Sequence, residues 1–478
     1  MLTAEVRNRR LAVAALIALS VLPVIWPLDT CFLNDEPVLV GLALQHNAEG
    51  KAAQFGLVGT RGARYGPVAV WSYQALLALT HDITALVQLH AWLWMSATAA
   101  ALFALSRALA VPSAWAAIPL LSPYLWVYAR MLWDNCSPIS AVAFAAYAYF
   151  LARPRALMLS LALSALVACL MVHLMALALA VPIVVHLLLT RRSFLLSRAG
   201  LLAIVPALVV AAGGTRFWLA LFSMDTSAIS TQASGALWFA SLGGRPLTAG
   251  GLDYFFGAAW SERFLGGGIG AAAMLLSMLL GHGLVWAGMA RALWWLKRAL
   301  ADRTQRGVRV EIAMLALGIW AAQTVLNLVT QTAHHPHYYN ATWLAFVVFA
   351  WLALDGLSRW RLSSYVAGAH ALALAAALAI IVNGLHTTAG TRSLHYGLAL
   401  REIMRVAAEL GQSHPESRLA SKVEQLRIFP QELMVLMWLA HIQPDRSRPL
   451  RGVKVEYAST DVTDAKLRVT TQFLSQSR

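Results

Sequence analysis

Charge is scarce in this 478-residue chain: Asp, Glu, Lys and Arg make up only 12% of it, against 59% hydrophobic residues. Soluble domains carry roughly twice that charged share, about 25%, so the deficit excludes one and leaves an integral membrane protein. Cysteine is scarcer still. Three residues, Cys31, Cys136 and Cys169, exclude a disulfide scaffold. Cys31 and Cys136 both fall in expected external loops, so a single bridge stays open beside the reading of two unpaired small hydrophobes. Internal repeats, low-complexity stretches and nucleic-acid motifs are also absent, and Asp and Glu are missing from the interior of every expected span.

What is present is a series of apolar runs approaching the length of about 20 residues that crosses a bilayer. They fall at 11–28, 85–106, 112–128, 138–152, 156–172, 175–190, 199–218, 269–295, 311–330, 341–358 and 364–385, which predicts eleven transmembrane helices. The first run follows Arg7, Arg9 and Arg10 like a secretory signal. No small-x-small cleavage site comes after it, so it reads as a retained anchor.

Basic residues in short loops set the orientation. One set of connections holds sixteen Lys and Arg, among them Arg107, Arg153, Arg191, Lys297, Arg309 and Arg359; the other holds six, Lys51, Arg61, Arg64, Arg130, Arg245 and Arg263. This puts the N-terminus in the cytoplasm, the 29–84 loop outside, and the tail after the eleventh span outside as well. Residues 67–79 are too few to cross and read instead as a helix lying in the membrane interface. The formal net charge of +15 lies largely in the cytoplasmic loops, where topology already accounts for it.

The chain divides into a transmembrane module, 1–385, with external loops at 29–84 and 219–268, and a tail, 386–478. The tail carries 13 basic and 9 acidic residues and no membrane-length apolar run. Helical periodicity over Leu398 to Leu410, an apolar stretch from Leu426 to Leu439 and alternation over Val453 to Tyr457 predict a small soluble α/β domain.

Polar residues gather on the external side. Asp35 and Glu36 follow the first span, and Asp134 opens the next external loop. Alone, each has a bland alternative as a solvated loop charge or a helix cap; two acidic sites, each directly after a span on one face, point to chemistry. Arg130 precedes Asp134 by four residues. His334, His335 and His337 stand beside Tyr338 and Tyr339, groups that could hold a phosphate or a divalent metal or form an interfacial aromatic belt. The three histidines share no helical face, which favours phosphate over metal. His173 interrupts apolar sequence between two spans, and Arg245 and Arg263 in the long loop are further phosphate candidates beside the plainer reading of solvated charges.

In this order the motifs resemble those of polyprenyl-phosphate-sugar-dependent glycosyltransferases of the GT-C class, in the branch of protein O-mannosyltransferases and lipid A aminoarabinose transferases. Asp35-Glu36 is similar to the acidic pair after the first span, Tyr65-Gly66-Pro67 to Trp71 to the Tyr/His-Pro-Pro-aromatic stretch, and Ser122-Pro123 to Asp134 to the Ser-Pro…Arg…Asp segment. Met171-Val-His173 stands where Thr-Lys-Gly is usual, and His335 to Tyr339 resembles the His/Arg-x-Tyr loop before a late span. Val68 replaces the second Pro of the pair, and His173 the usual Lys.

The resemblance covers residues 11 to about 385 and implies an all-α GT-C-like fold and transfer of a sugar from a polyprenyl phosphate to a lipid, glycan or protein acceptor of the cell envelope. Transfer would occur on the outer face of the inner membrane, by one inverting displacement. It implies Asp35 as base, Glu36 and Asp134 as orienting groups, and His337, Tyr338, Tyr339, His173, Arg130 and Tyr65 around the donor phosphate and lipid. Two other classes stand beside it: a multi-span transporter or flippase, which would show ionisable groups within the spans and repeated halves, and a noncatalytic partner in envelope-glycan assembly, which would tolerate loss of Asp35.

Overall fold

The computed structural model describes residues 4–32, 35–59, 64–222, 244–250, 252–302, 304, 307–330, 336–391, 397–413, 453–457 and 467–471. Among these, four helices are long and apolar enough to cross a membrane: Ile83–Ala108 (α4), Gly268–Ala301 (α12), Val308–Thr330 (α13) and Ser363–Thr387 (α15). A fifth candidate is a bent pair. Helices Arg198–Gly213 (α9) and Thr215–Phe222 (α10) meet at 73°, where Gly213 and Gly214 interrupt the helix with the two residues that oppose bending least. Shorter apolar helices are packed among them: Ala4–Val21 (α1), Ser137–Ala152 (α6), Ala156–Val172 (α7), Leu177–Thr190 (α8) and Trp343–Ser358 (α14). The protein is a mostly helical multi-pass membrane protein.

Several expected spans take another form. Residues 112–128 are not one helix; they break into short turns at Ser113–Ala116 and Ala117–Leu120 and a helix at Pro123–Arg130 (α5). Pro112, Pro119 and Pro123 each lack the N–H that would continue the ladder. The first helix stops at Val21, and Pro23 and Pro27 carry the chain onward in 3-10 turns. α12 runs 34 residues, past the expected end at 295. Asp355 lies in the last turn of α14, towards the end of the expected span 341–358 and not in its middle, and Arg291 (2.8 Å) and Arg309 (2.9 Å) compensate its charge.

Local packing positions the groups around the acidic pair. Asp35–Ala48 (α2) begins at the acidic pair, and Val68–Leu77 (α3) is a ten-residue helix packed against it. Gln74 ties the two, donating to Asn47 Oδ1 (3.0 Å) and the Lys51 carbonyl (2.9 Å) while its own carbonyl accepts from Ala53 N–H. The interior helices approach closely enough that a Cβ on Gly288 would meet the Phe349 carbonyl, so only glycine permits this contact between α12 and α14.

The chain after α15 turns back onto the start of the molecule. Cys31 pairs with Ala399 in an isolated bridge, Leu400 N–H donates to the Thr30 carbonyl at 2.7 Å, and helix Leu400–Ser413 (α16) buries Leu400, Ile403 and Val406 against Phe32, Leu39 and Leu132. Val453–Tyr457 (β1) and Leu467–Thr471 (β2) form an antiparallel hairpin with Val453 opposite Thr471. The expected apolar stretch from Leu426 to Leu439 lies outside the described residues.

Candidate functional site

Asp35 and Asp134 come together through the residue between the second acid and α5. Trp133 Nε1 donates to Asp35 Oδ2 at 3.0 Å, so the two loops expected on one face share one site. Asp35 is exposed at the start of α2. Partial burial of its carboxyl raises its pKa, and the indole hydrogen bond lowers it. Asp134 is only 6% exposed, and Oδ2 has no hydrogen-bond partner among the described residues. Burial first, then the nearby Asp35, Cys136 and Glu36 groups, push it well above the usual carboxylate range, against a backbone hydrogen bond that lowers it. Two carboxyls in one site therefore have different environments, one reaching water and one sealed.

Glu36, 4% exposed, turns the other way and accepts from the Cys31 thiol at 3.5 Å. Burial, then that carboxylate, raise the Cys31 pKa. All three cysteines are free and buried, the unpaired reading of Cys31 and Cys136.

A ring cluster faces Trp133. His337 meets the Trp133 indole edge-on at 5.0 Å, Tyr338 at 4.3 Å and His173 at 6.3 Å; Tyr65 stacks on His173 at 5.2 Å. Gly66 makes the last contact possible, because its N–H donates to the Met171 carbonyl at 2.6 Å and a Cβ there would overlap Met171. His173 stands at the break between α7 and α8, where Nδ1 accepts from Met175 N–H at 3.1 Å. The ring proton therefore sits on Nε2. Burial lowers the His173 pKa to about 4, so it acts as a neutral donor.

The loop bearing His337 and Tyr338 is anchored below. Tyr339 accepts from Asn327 at 2.9 Å, Asn327 from Gln323 at 2.9 Å, and Thr342 donates to Gln323 at 3.0 Å. Asn340 donates to Asn135 Oδ1 at 2.8 Å, beside Asp134. Tyr339 thus serves the loop from inside. Arg130 is buried; it donates to the Trp26 carbonyl, lies over the Trp126 ring at 4.1 Å, and its own carbonyl accepts from Thr30. These contacts join it to the turn before α2.

An apolar cavity of about 340 Å³ adjoins the acids, lined by Val68, Ser72, His90, Trp94, Trp133 and Asn135 among others. His90 Nε2 and Asn135 Nδ2 are buried there without hydrogen-bond partners among the described residues. Leu93, on the same wall, is 46% exposed on the outer face of α4. Sequence reasoning missed His90 and Asn135, although a histidine within the apolar run 85–106 carries the same signal as His173.

It also missed Asp29. This acid is 2% exposed and pairs with Arg401 (2.5 Å) and His386 (2.8 Å), which belong to the returning chain. His386 stacks on Trp26 at 4.1 Å, and Trp26 has a left-handed backbone, φ 49°, a strained state that persists only where surroundings impose it. Among the described residues no three His, Cys, Asp or Glu side chains converge as metal ligands; His334 and His335 lie outside them.

No family model matches the chain, and no curated protein does. Two solved structures are similar. ArnT from Cupriavidus metallidurans in the apo state has 16% sequence identity and a TM-score of 0.50, covering 91% of this chain and 89% of that one. The same protein bound to undecaprenyl phosphate has 17% identity and a TM-score of 0.48, with the same coverage. The likeness to the apo structure establishes the fold: that of ArnT, a GT-C glycosyltransferase.

Proposed function

We propose that this protein moves a sugar from a polyprenyl-phosphate donor to an envelope acceptor (a lipid, a glycan or a protein) at the membrane face that carries Asp35. The observation that carries the reading is the meeting of Asp35, Asp134 and the His173–His337–Tyr338 rings around Trp133, directly beside an apolar cavity. Glycosyl transfer from a lipid phosphate needs those three parts together: a base, donors for the leaving phosphate, and an apolar groove.

In this reading Asp35 takes the acceptor hydroxyl proton while that oxygen bonds to the anomeric carbon. The bond from that carbon to the phosphate oxygen breaks, its electron pair leaves with the polyprenyl phosphate, and the configuration inverts. Asp134, its pKa raised by burial, hydrogen-bonds the sugar or acceptor through Oδ2, which has no hydrogen-bond partner among the described residues; pairs of carboxyls with separated pKa values divide roles in this way. His173 Nε2–H, His337 and Tyr338 stabilise the leaving phosphate, with Tyr65 setting the His173 ring. Glu36, Arg130 and Tyr339 support the loops that carry these groups. The cavity walled by Val68, Ser72 and Trp94 takes the first isoprene units.

The same reading orients the chain with its N-terminus cytoplasmic and the Asp35 face external, in the inner membrane. The eleven expected crossings then include 112–128 as a broken one. Residues 1–385 form the catalytic module, and the tail contributes to acceptor recognition. No step is assigned to a metal.

The test is release of free polyprenyl phosphate by the purified protein from a panel of polyprenyl-phosphate sugars, with envelope extract as acceptor. Wild type should release it and Asp35→Asn should not. Equal turnover by both would remove Asp35 as base, and no release with any donor would turn the reading towards transport or a noncatalytic partner.

A further inference from the structure

At the face of the bundle opposite Asp35, α12 and α14 leave a groove with unusual ends. It is a cavity of about 350 Å³, walled in its lower part by Leu279, Gly283 and Ala287 and closed at its upper end by Arg291, Arg359 and Trp360. Leu279 is 63% exposed and Trp360 66% exposed, so the groove lies on the outer, lipid-facing surface of the bundle. Gly283 faces open space: a Cβ built there meets nothing within 4 Å.

Dimension and charge say what fits. Leu279 and Arg291 stand twelve residues apart on one helix, about 18 Å at 1.5 Å per residue. That matches one leaflet, since half of a hydrocarbon core is about 15 Å. Arg291 is also 23 residues from the start of α12 at Gly268, about 35 Å along the axis. That start adjoins the aromatic cluster of Tyr128, Phe255 and Trp260 beside the acidic site, so the arginine end of the groove is remote from it. At the arginine end, Arg291 and Arg309 share the single carboxylate of Asp355, at 2.8 and 2.9 Å. Arg359, exposed beside the Trp360 ring at 5.7 Å, adds a third guanidinium. Arg291 and Arg359 both line the groove, and a tryptophan marks the interface depth where headgroups lie.

We propose that this groove is a binding site for an anionic phospholipid of the leaflet opposite the catalytic face, with one acyl chain along Leu279, Gly283 and Ala287 and the phosphate between Arg291 and Arg359. Basic pockets between transmembrane helices bind anionic headgroups on this principle, and a guanidinium adds bidentate geometry for a phosphate. The site depends neither on the transfer reaction nor on its donor.

The full-length protein in detergent would be titrated with mixed micelles containing phosphatidylglycerol or phosphatidylcholine, reading Tm and the lipid retained in native mass spectrometry. Phosphatidylglycerol should raise Tm saturably, with at least tenfold tighter apparent binding than phosphatidylcholine. Arg359→Gln and Gly283→Leu, one at each end of the groove, should each weaken that response at least tenfold while transfer activity is unchanged. Equal responses to the two lipids would overturn the anionic assignment; a wild-type response in either variant would overturn the site. Lipid-free Tm controls for folding, and if Gly283→Leu fails that control, Leu279→Trp fills the same groove from its exposed side.

Discussion

The indole N–H of Trp133 reaches the Asp35 carboxylate across 3.0 Å, although the two residues are 98 positions apart. This bond joins the loop after the first helix to the loop after α5, and it favours the ionised form of the acid. Trp133→Phe keeps the ring against Tyr128 and His337 but removes the donor. Partial burial then acts on Asp35 unopposed, its pKa rises further, and a base that must be ionised loses activity first at low pH. The acid limb of kcat/KM against pH should move to higher pH, with about a tenfold loss near that limb, the worth of one hydrogen bond to a charged group. A superimposable profile would mean that the indole only packs.

Asp134 has the opposite signature. Its pKa is raised in the folded protein by burial and by neighbouring acids, so its contribution to stability is present below the unfolded carboxyl pKa and is lost as pH rises through the folded value. Asp134→Asn, which cannot ionise, should flatten the fall in Tm between pH 5 and pH 8 and be more stable than wild type at the upper end. Thermal unfolding of both proteins at the two pH values decides it.

How much of this was legible in the sequence depends on the reach of the signal. Asp35, Asp134, His173 and the His337–Tyr338 pair were visible because each interrupts or directly follows apolar sequence, where polarity is costly. The prolines at 112, 119 and 123 announced the broken crossing, yet the run is apolar enough to read as one span. The Trp133–Asp35 bond and the Asp29–Arg401 pair had no local signature, because partners so far apart are chosen by packing. Glu36 illustrates the limit from the other side: adjacent residues at a helix start point in different directions, so Asp35 accepts from Trp133 while Glu36 accepts from Cys31.

His173 should act without charge. With its pKa near 4 and its proton held on Nε2 by the Met175 contact, it offers one donor at every pH from 5 to 8. His173→Phe keeps the stack on Tyr65 and loses that donor; about a tenfold rise in the KM for the lipid donor is expected, the worth of about 1.4 kcal/mol. Steady-state kinetics should give the same ratio at pH 6 and pH 8, and a ratio that changes between them would mean that the imidazole titrates.

The cavity beside Trp133 makes a chain-length prediction. Ala75 is exposed on α3 and lines that cavity. Ala75→Trp should raise KM several-fold for a long polyprenyl donor and leave a methyl-phosphate sugar analogue, which has no isoprene unit, nearly unaffected. An equal effect on both donors would place the isoprenoid elsewhere.

The buried pair at Asp29 sets a stability prediction. Arg401→Met removes the guanidinium from a nearly inaccessible carboxylate, which should cost about 3 kcal/mol, the low end for a broken buried pair because Arg401 is partly exposed. Adding Asp29→Asn should recover most of the loss. Denaturant unfolding of the single and double variants measures the coupling.

That pair also fixes an order of events during synthesis. Asp29 and His386 are 357 positions apart, so at 5–20 residues per second the first loop waits roughly 20 to 70 s for its partners. Until then the turn at Trp26 has neither the His386 ring nor the carboxylate bridge that holds it, and the acidic helix start it leads into is unsecured. A ribosome that stops between Leu385 and Arg401 therefore releases a chain whose apolar helices are nearly all made but whose Asp29 carboxylate still lacks Arg401. Closure of the first loop is thereby tied to completion of the last helix and the chain that follows it.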